Sequence, residues 1–349
     1  MKKTLNYIWA ISELFNGMPK NVSFELLVHG RKLAEKLGTK VASIICGHKI
    51  DKNHIYEHIY RGADRVYILE NRHLAHFIVE NHSAAIYSLI IKYKPEIILG
   101  PATSRGRILM PHIAAKLGAG LTADCTELDI EKDTGNLVQI RPAIGGNIIA
   151  KIKTPEKRPQ MATVRPKLVK PFPPENNRKG EIIKITEPDL FVPDRRIERK
   201  GFRPHIKKEI NIQEADIIVS GGGGLKKAEN FKIIYELAEE LGGAAGASRN
   251  AVDKGWIGYP HQVGLSGKTV TPKLYIAIGI SGAIQHLAGM KTSENIIAIN
   301  KDPEAQIFRV SDLGIIGDAF DIIPRLIEGI RREKIIKSRY KKTLLGTTS

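Results

Sequence analysis

Three short segments in the last third of the chain bring glycine, hydroxyl, guanidinium and imidazole groups to junctions between apolar runs and helices. Gly279-Ile280-Ser281-Gly282 closes the apolar run 274–278 and opens a helical segment, 283–288, that carries His286. Glycine lets a chain turn without a Cβ clash, and N–H groups that open a helix favour an anion. A second glycine run, Gly221-Gly222-Gly223-Gly224, closes the apolar stretch 215–220. Neither run meets the full Gly-x-Gly-x-x-Gly fingerprint with a ribose-binding acid after the next strand, so tight packing explains these glycines as well as a phosphate does. Ala247-Ser248-Arg249-Asn250 and the glycine-bracketed loop Gln262-Val263-Gly264-Leu265-Ser266-Gly267-Lys268 add polar groups. Taken singly, Arg249 and Ser266 read as surface residues and His286 as an ordinary helix histidine.

The elements that must position these groups follow from apolar periodicity. Strands are predicted at 215–220, 274–278, 295–299 and 313–316, with helices at 228–241, 283–288 and 321–332, the last with Pro324 in its first turn. The first half repeats the grammar, with strands at 5–11, 40–46, 65–69 and 96–99 and helices at 23–37, 82–93 and 108–117. Such alternation predicts an α/β protein of two domains, each built on a mostly parallel sheet covered on both faces. We place a nucleotide-binding-like N-terminal domain at 1–165 and a Rossmann-like domain at 211–332. Between them, 166–210 is rich in Pro, Lys, Arg and Glu and reads as a connector and hinge, although 182–185 and 190–192 retain enough apolar character for an edge strand. A basic tail, 333–349, follows.

Composition excludes several functions. The chain of 349 residues has two cysteines, Cys46 and Cys125, and no Cys-x-x-Cys, so no iron–sulfur cluster or structural zinc is expected and any redox chemistry belongs to an organic cofactor. Net charge is +17, but the excess lies in 151–208 and in the tail, without aromatic residues spaced for base stacking. A thermophile-type or partner-facing surface explains it better than nucleic acid. No secretory leader and no apolar run of roughly 18 residues is evident, which predicts a cytoplasmic protein.

Gly246-Ala247-Ser248-Arg249, Gln262-Val263-Gly264 and the run LYIAIGISGAIQHLAGM at 274–290 closely resemble the alpha subunit of electron-transfer flavoproteins, as does Ile299-Asn300-Lys301-Asp302-Pro303-Glu304-Ala305. The resemblance extends to the first half through 118–126, Arg141-Pro142-Ala143, Gly145-Gly146-Asn147-Ile148 and 158–166. It implies FAD on the second domain, with the isoalloxazine turned toward a beta subunit. On matching positions, Ser248 and Arg249 would meet the flavin and its phosphates, and Val263, Gly264, Leu265 and Ser266 would follow the ring edge beside Gln262. Gly279, Ser281, Gly282, Ala283, Ile284, Gln285 and His286 would cradle the phosphates and reach the pyrimidine side. Asn300, Lys301, Asp318 and Ala319 would hold the adenosine end.

Reduction loads negative charge onto flavin N1 and the C2 carbonyl, so Arg249 and His286 would stabilise the reduced ring and Ser266 would hydrogen-bond N5. Two departures stand out. Gly223 replaces a common arginine, which Lys226 or Lys227 would have to substitute, and Leu265 replaces a common glutamine. Thr103-Ser104-Arg105-Gly106-Arg107 looks like a nucleotide-binding turn, yet the resemblance implies a relic or a beta-subunit contact there.

The implied function is electron transfer, with oxidoreductase activity only within a complex. Implied partners are the beta subunit and either a dehydrogenase or a membrane-associated quinone oxidoreductase, which would draw the protein to a membrane. Leu265 and Tyr259-Pro260-His261-Gln262 resemble electron-bifurcating anaerobic members, where NADH and ferredoxin also take part. A nicotinamide-dependent dehydrogenase and a non-catalytic nucleotide-binding module are the alternatives on the same architecture.

Overall fold

The computed structural model describes residues 7–143, 148–186, 192–194, 196–201 and 211–345, with the backbone alone over 335–345. Leu5 and Asn6 of the first expected strand, Gly145-Gly146-Asn147, and Leu190-Phe191 lie outside the described residues.

The chain runs β1 (Ile8–Ile11), the hairpin β2 (Leu14–Phe15) and β3 (Met18–Pro19), α1 (Asn21–Leu37), β4 (Val41–Gly47), α2 (Lys52–Tyr60), β5 (Arg65–Glu70), α3 (Val79–Tyr93), β6 (Ile97–Pro101) and α4 (Gly106–Leu117). There follow β7 (Leu121–Cys125), β8 (Glu127–Ile130), β9 (Leu137–Pro142), β10 (Ile149–Ile152), β11 (Gln160–Val164) and β12 (Glu181–Ile185). The remainder comprises β13 (Ile217–Gly221), α5 (Lys232–Glu240), β14 (Ala244–Ala247), α6 (Arg249–Asp253), β15 (Leu274–Ile278), α7 (Ile284–Met290), β16 (Ile296–Asn300), β17 (Leu313–Ile316) and α8 (Ala319–Leu345).

Two compact units divide between Gly201 and Phe202. In the first, seven strands pair in parallel in the order β12-β5-β4-β1-β6-β11-β7, and β8, β9 and β10 form a small antiparallel sheet. Alternation within β1 divides the core. Ile8 and Ala10 pack with Phe24, Leu26 and Leu27 of α1, whereas Trp9 and Ile11 pack with Ile86 and Leu89 of α3 and Met110 of α4. A strand buried on both faces must be apolar throughout, which is why β1 and β4 read as continuous apolar runs. The second unit holds a five-stranded parallel sheet, β14-β13-β15-β16-β17. Val219, Ile276 and Ile278 face α5 and α8, while Ile218, Tyr275 and Ala277 face Met290 of α7.

Part of the segment expected to be a connector belongs to the first unit, where 182–185 form the edge strand that its apolar residues allowed. β12 pairs in parallel with β5 as the edge of the first sheet, Arg178 bridges Asp64 at 2.8 Å, and the Lys167 N–H donates to Glu25 Oε2 at 2.7 Å. Charged residues mark an edge strand as readily as a linker, because one of its sides stays wet. At the other end, the expected tail continues α8 to Leu345.

Candidate functional site

All five strands of the second sheet run in one direction, so their carboxyl ends share one edge. β13 is first in sequence, with β14 on one side and β15 on the other, so the strand order reverses beside it. A crevice opens at such a switch point, outside the carboxyl ends.

The two glycine runs meet there. The Gly222 N–H donates to the Ile278 carbonyl and the Gly224 N–H to the Gly279 carbonyl, each at 2.9 Å. A Cβ on Gly222 would lie 2.3 Å from the Gly279 oxygen, and one on Gly224 would lie 2.8 Å from Gly279 Cα. Glycine at 222, 224 and 279 is therefore required for two turns to touch backbone to backbone. Gly282 (φ 86°) turns the chain away, and a Cβ there would strike the Ile307 nitrogen at 2.2 Å.

The cleft beside these turns has a volume of about 680 Å³, within the usual range for ligand sites. Of the residues expected from sequence, Gly223, Ser248, Arg249, Val263, Gly264, Leu265, Ser266, Gly279, Ser281, Ala283, Gln285 and His286 line it. They come from turns after three strands and from the 262–268 loop. That loop is docked on β14 through the Val263 N–H, which donates to the Ala247 carbonyl at 2.9 Å, and on the first turn of α7 through Leu265 N–H to the Gln285 carbonyl at 2.7 Å.

Gln262 does not line the cleft; its amide donates to Ser266 Oγ at 3.1 Å, so the hydroxyl proton of Ser266 is left to point elsewhere. Ile284 is exposed beyond the lining residues. Asn300 donates to the Ile280 carbonyl at 2.9 Å and so pins the 279–282 turn. Lys301 pairs with Asp318 at 2.6 Å, and Asp318 Oδ1 accepts from the Phe320 N–H at the start of α8, beside Ala319. These four stand farther along the same sheet edge, after β16 and β17.

Sequence reasoning did not assign Gly224, Asn250, Asp253, Lys254 and Ile280, which also line the cleft. Asp253 sits four residues after Arg249 on α6 and accepts from its Nε at 3.2 Å, a spacing that was readable. Asn250 was not: its Oδ1 lies 2.9 Å from where a Cβ on Gly223 would be, so the asparagine amide occupies the ground that a side chain at 223 would enter.

Two polar atoms at this cleft are buried without a hydrogen-bond partner, Ser248 Oγ and His286 Nδ1. Buried polar groups are ordinarily satisfied, so orphans that line a cleft fit a polar ligand. The other nitrogen of His286, Nε2, lies 3.0 Å from the Tyr275 hydroxyl. Burial pushes this imidazole down to about 4, against the contrary pull of the Val263 backbone, so it is neutral at physiological pH.

The turn at 103–107 in the first unit is filled from within. Thr103 donates to the Glu13 carboxylate, Lys20 approaches the same carboxylate at 3.3 Å, and Arg105 donates to the Leu14 carbonyl at 2.7 Å. A Cβ on Gly106 would meet the Pro101 oxygen, so this glycine also serves packing. The Thr103 hydroxyl and the Lys20 ammonium are thus engaged by Glu13. Burial pushes the thiols of Cys46 and Cys125 up to about 12, which leaves both inert. Among the described residues no group of His, Cys, Asp and Glu is arranged to hold a metal ion, and no helix is long and apolar enough to cross a membrane.

Switch-point crevice, glycine turns and orphan polar atoms define a dinucleotide-binding α/β protein. Comparison with known proteins sharpens this. Residues 8–190 match the electron transfer flavoprotein domain, and residues 211–291 match the electron transfer flavoprotein FAD-binding domain. The chain is 50% identical to an electron transfer flavoprotein subunit alpha of Thermoanaerobacterium thermosaccharolyticum, over 94% of this chain and 98% of that one. It is 44% identical to the corresponding subunit of Megasphaera elsdenii, over 94% and 97%, and 45% identical to Protein FixB of Clostridium saccharobutylicum, over 92% and 95%. The chain belongs to the electron transfer flavoprotein family as an alpha subunit, and its cofactor is FAD. Asn300, Lys301, Asp318 and Ala319 lie beyond the matched FAD-binding span.

Proposed function

We propose that this chain holds FAD with the isoalloxazine beside Arg249, Ser266 and His286, and that, paired with a beta subunit, it relays single electrons between a dehydrogenase and another carrier. FAD supplies the redox chemistry; the chain binds it and biases it. The glycine turns with Ser281 and Ala283 offer close backbone approach to the phosphates. Asn300, Lys301, Asp318 and Ala319 serve the adenosine end. Arg249 is a permanent cation and favours negative charge on a neighbouring ring. With its oxygen engaged by Gln262, Ser266 directs its proton toward an acceptor such as N5. The observation that carries the reading is the pair of orphaned buried atoms, Ser248 Oγ and His286 Nδ1, in one cleft with Arg249.

Purified heterodimer is expected to show flavin absorbance that bleaches on reduction, and Arg249→Ala to lower the midpoint potential while FAD is kept. An Arg249→Ala protein with FAD and unchanged potentials would sink the assignment. The finer proposal, drawn from Leu265 and the 259–262 loop, is membership of an electron-bifurcating complex with NADH and ferredoxin. Two FAD per heterodimer accord with bifurcation, whereas one FAD with AMP excludes it.

A further inference from the structure

Behind His286, on the side away from the cleft, stands the phenol of Tyr275. Tyr275 is the second residue of β15 and 0% exposed. Its hydroxyl lies 3.0 Å from His286 Nε2, and the two rings meet edge-on with centroids 6.1 Å apart. A neutral imidazole carries one N–H and one bare nitrogen, and the bond made at one nitrogen decides what the other presents. The direction of the Tyr275–His286 hydrogen bond therefore decides whether Nδ1 offers the cleft a donor or an acceptor.

Two features set that direction. A fully buried phenol must donate its proton, and burial pushes the Tyr275 hydroxyl far above its ordinary range, so it never becomes a phenolate under working conditions. The Ser220 hydroxyl stands near the same phenol and has no hydrogen-bond partner. Turned toward the phenol oxygen, its proton leaves the phenol proton for Nε2. With Nε2 accepting, the ring N–H is at Nδ1, which has no hydrogen-bond partner within the protein.

We infer that Tyr275 is a positioning residue that holds His286 in its Nδ1–H form, so that a neutral donor faces an acceptor atom of the flavin ring. The inference rests on the proposed placement of the ring beside His286. A neutral donor of fixed tautomer stabilises negative charge on the ring without adding a charge of its own. An imidazole free to exchange tautomers would present a bare nitrogen to the same atom part of the time, and two lone pairs would then face each other.

The test uses the full chain in its flavin-loaded heterodimer with isotope-labelled histidine rings. Solid-state NMR reads which His286 nitrogen carries the proton, with its signals assigned by their loss in His286→Gln. Nδ1 is expected to be protonated in the unaltered protein. Tyr275→Phe is expected to move a measurable fraction of that proton to Nε2 and to lower the midpoint potential, at unchanged FAD content and circular dichroism. A proton on Nε2 in the unaltered protein overturns the inference, and so does Tyr275→Phe with tautomer and potential both unmoved. Should the variant fail to fold, the tautomer of the unaltered protein decides alone. His286→Gln with an unchanged potential overturns something different, the placement of the ring beside His286, and with it the flavin half of the inference; the proton position is read independently.

Discussion

Arg249 stands at the start of α6, 67% exposed, with its guanidinium 3.2 Å from Asp253. An exposed i,i+4 pair contributes under about 1 kcal/mol to stability, so Arg249→Ala is expected to leave thermal unfolding nearly unchanged. Its effect belongs to the cofactor. Each factor of ten in reduced-over-oxidised stabilisation is worth about 59 mV for one electron, and losing the cation is expected to lower the potential by an amount of that order, read by redox titration. Gln262→Ala tests Ser266 separately. Removing the amide that fixes Ser266 Oγ costs a hydrogen bond of about 1 kcal/mol, and the expected result is a smaller shift in potential with FAD retained. A potential equal to that of the unaltered protein would show that Ser266 needs no such support.

At the level of elements, α7 and the 262–268 loop touch through two glycines. A Cβ on Gly289 would fall 2.4 Å from the Gly264 nitrogen and 2.5 Å from its Cα, and Gly264 itself has φ 143°. Gly289→Ala must therefore push α7 from the loop that carries Leu265 and Ser266, at a cost of about 1–3 kcal/mol. FAD retention is expected to fall about tenfold or more, since 1.4 kcal/mol is a factor of ten. Equilibrium dialysis checks this, with the circular dichroism largely preserved because the first unit has its own sheet and core. Unaltered retention would show that the loop and α7 do not hold the cofactor together.

At the scale of the whole molecule, four histidines among the described residues, His29, His58, His82 and His286, are pushed from 6.5 to about 4, chiefly by burial. Between those values the unfolded chain binds more protons than the folded one, so stability rises with pH there and falls as pH drops from 6.5 toward 4. Each contributes up to about 3 kcal/mol across the window. Glu25, raised by burial, opposes the trend near the carboxylate range. Denaturant midpoints are expected to climb from pH 4 to 6.5 and level off above; a flat profile over that interval would contradict the burial of these rings.

Much of the plan was legible because a strand buried on both faces has no choice of composition. β1, β4, β6, β13 and β15 announce themselves as apolar runs, and the glycines that follow β13 and β15 announce turns. β14 was not legible: Ala244-Ala245-Gly246-Ala247 has little strand propensity, and small residues stand there because a Cβ on Gly246 would already lie 3.0 Å from Ile218 Cγ2. β12 was legible as an edge strand at 182–185, but not which sheet it joins, because its partner β5 is far away in sequence. Among site residues, Arg249, Ser266, Gly279 and His286 could be named from the local run of residues that carries them. The packing role of Gly222, Gly224 and Gly279, the Glu13 carboxylate filling the first-unit turn, and the Tyr275 phenol behind His286 could not. Each depends on a contact between segments that sequence leaves unordered in space. By itself, the sequence determined which groups stand at the carboxyl ends of the strands and which cofactor they resemble a site for. Only the tertiary structure decided which of them share a cleft, which buried polar atoms remain unsatisfied, and which neighbour directs the proton of His286, because burial and hydrogen-bond partnership are properties of packed surfaces and not of residues in a row.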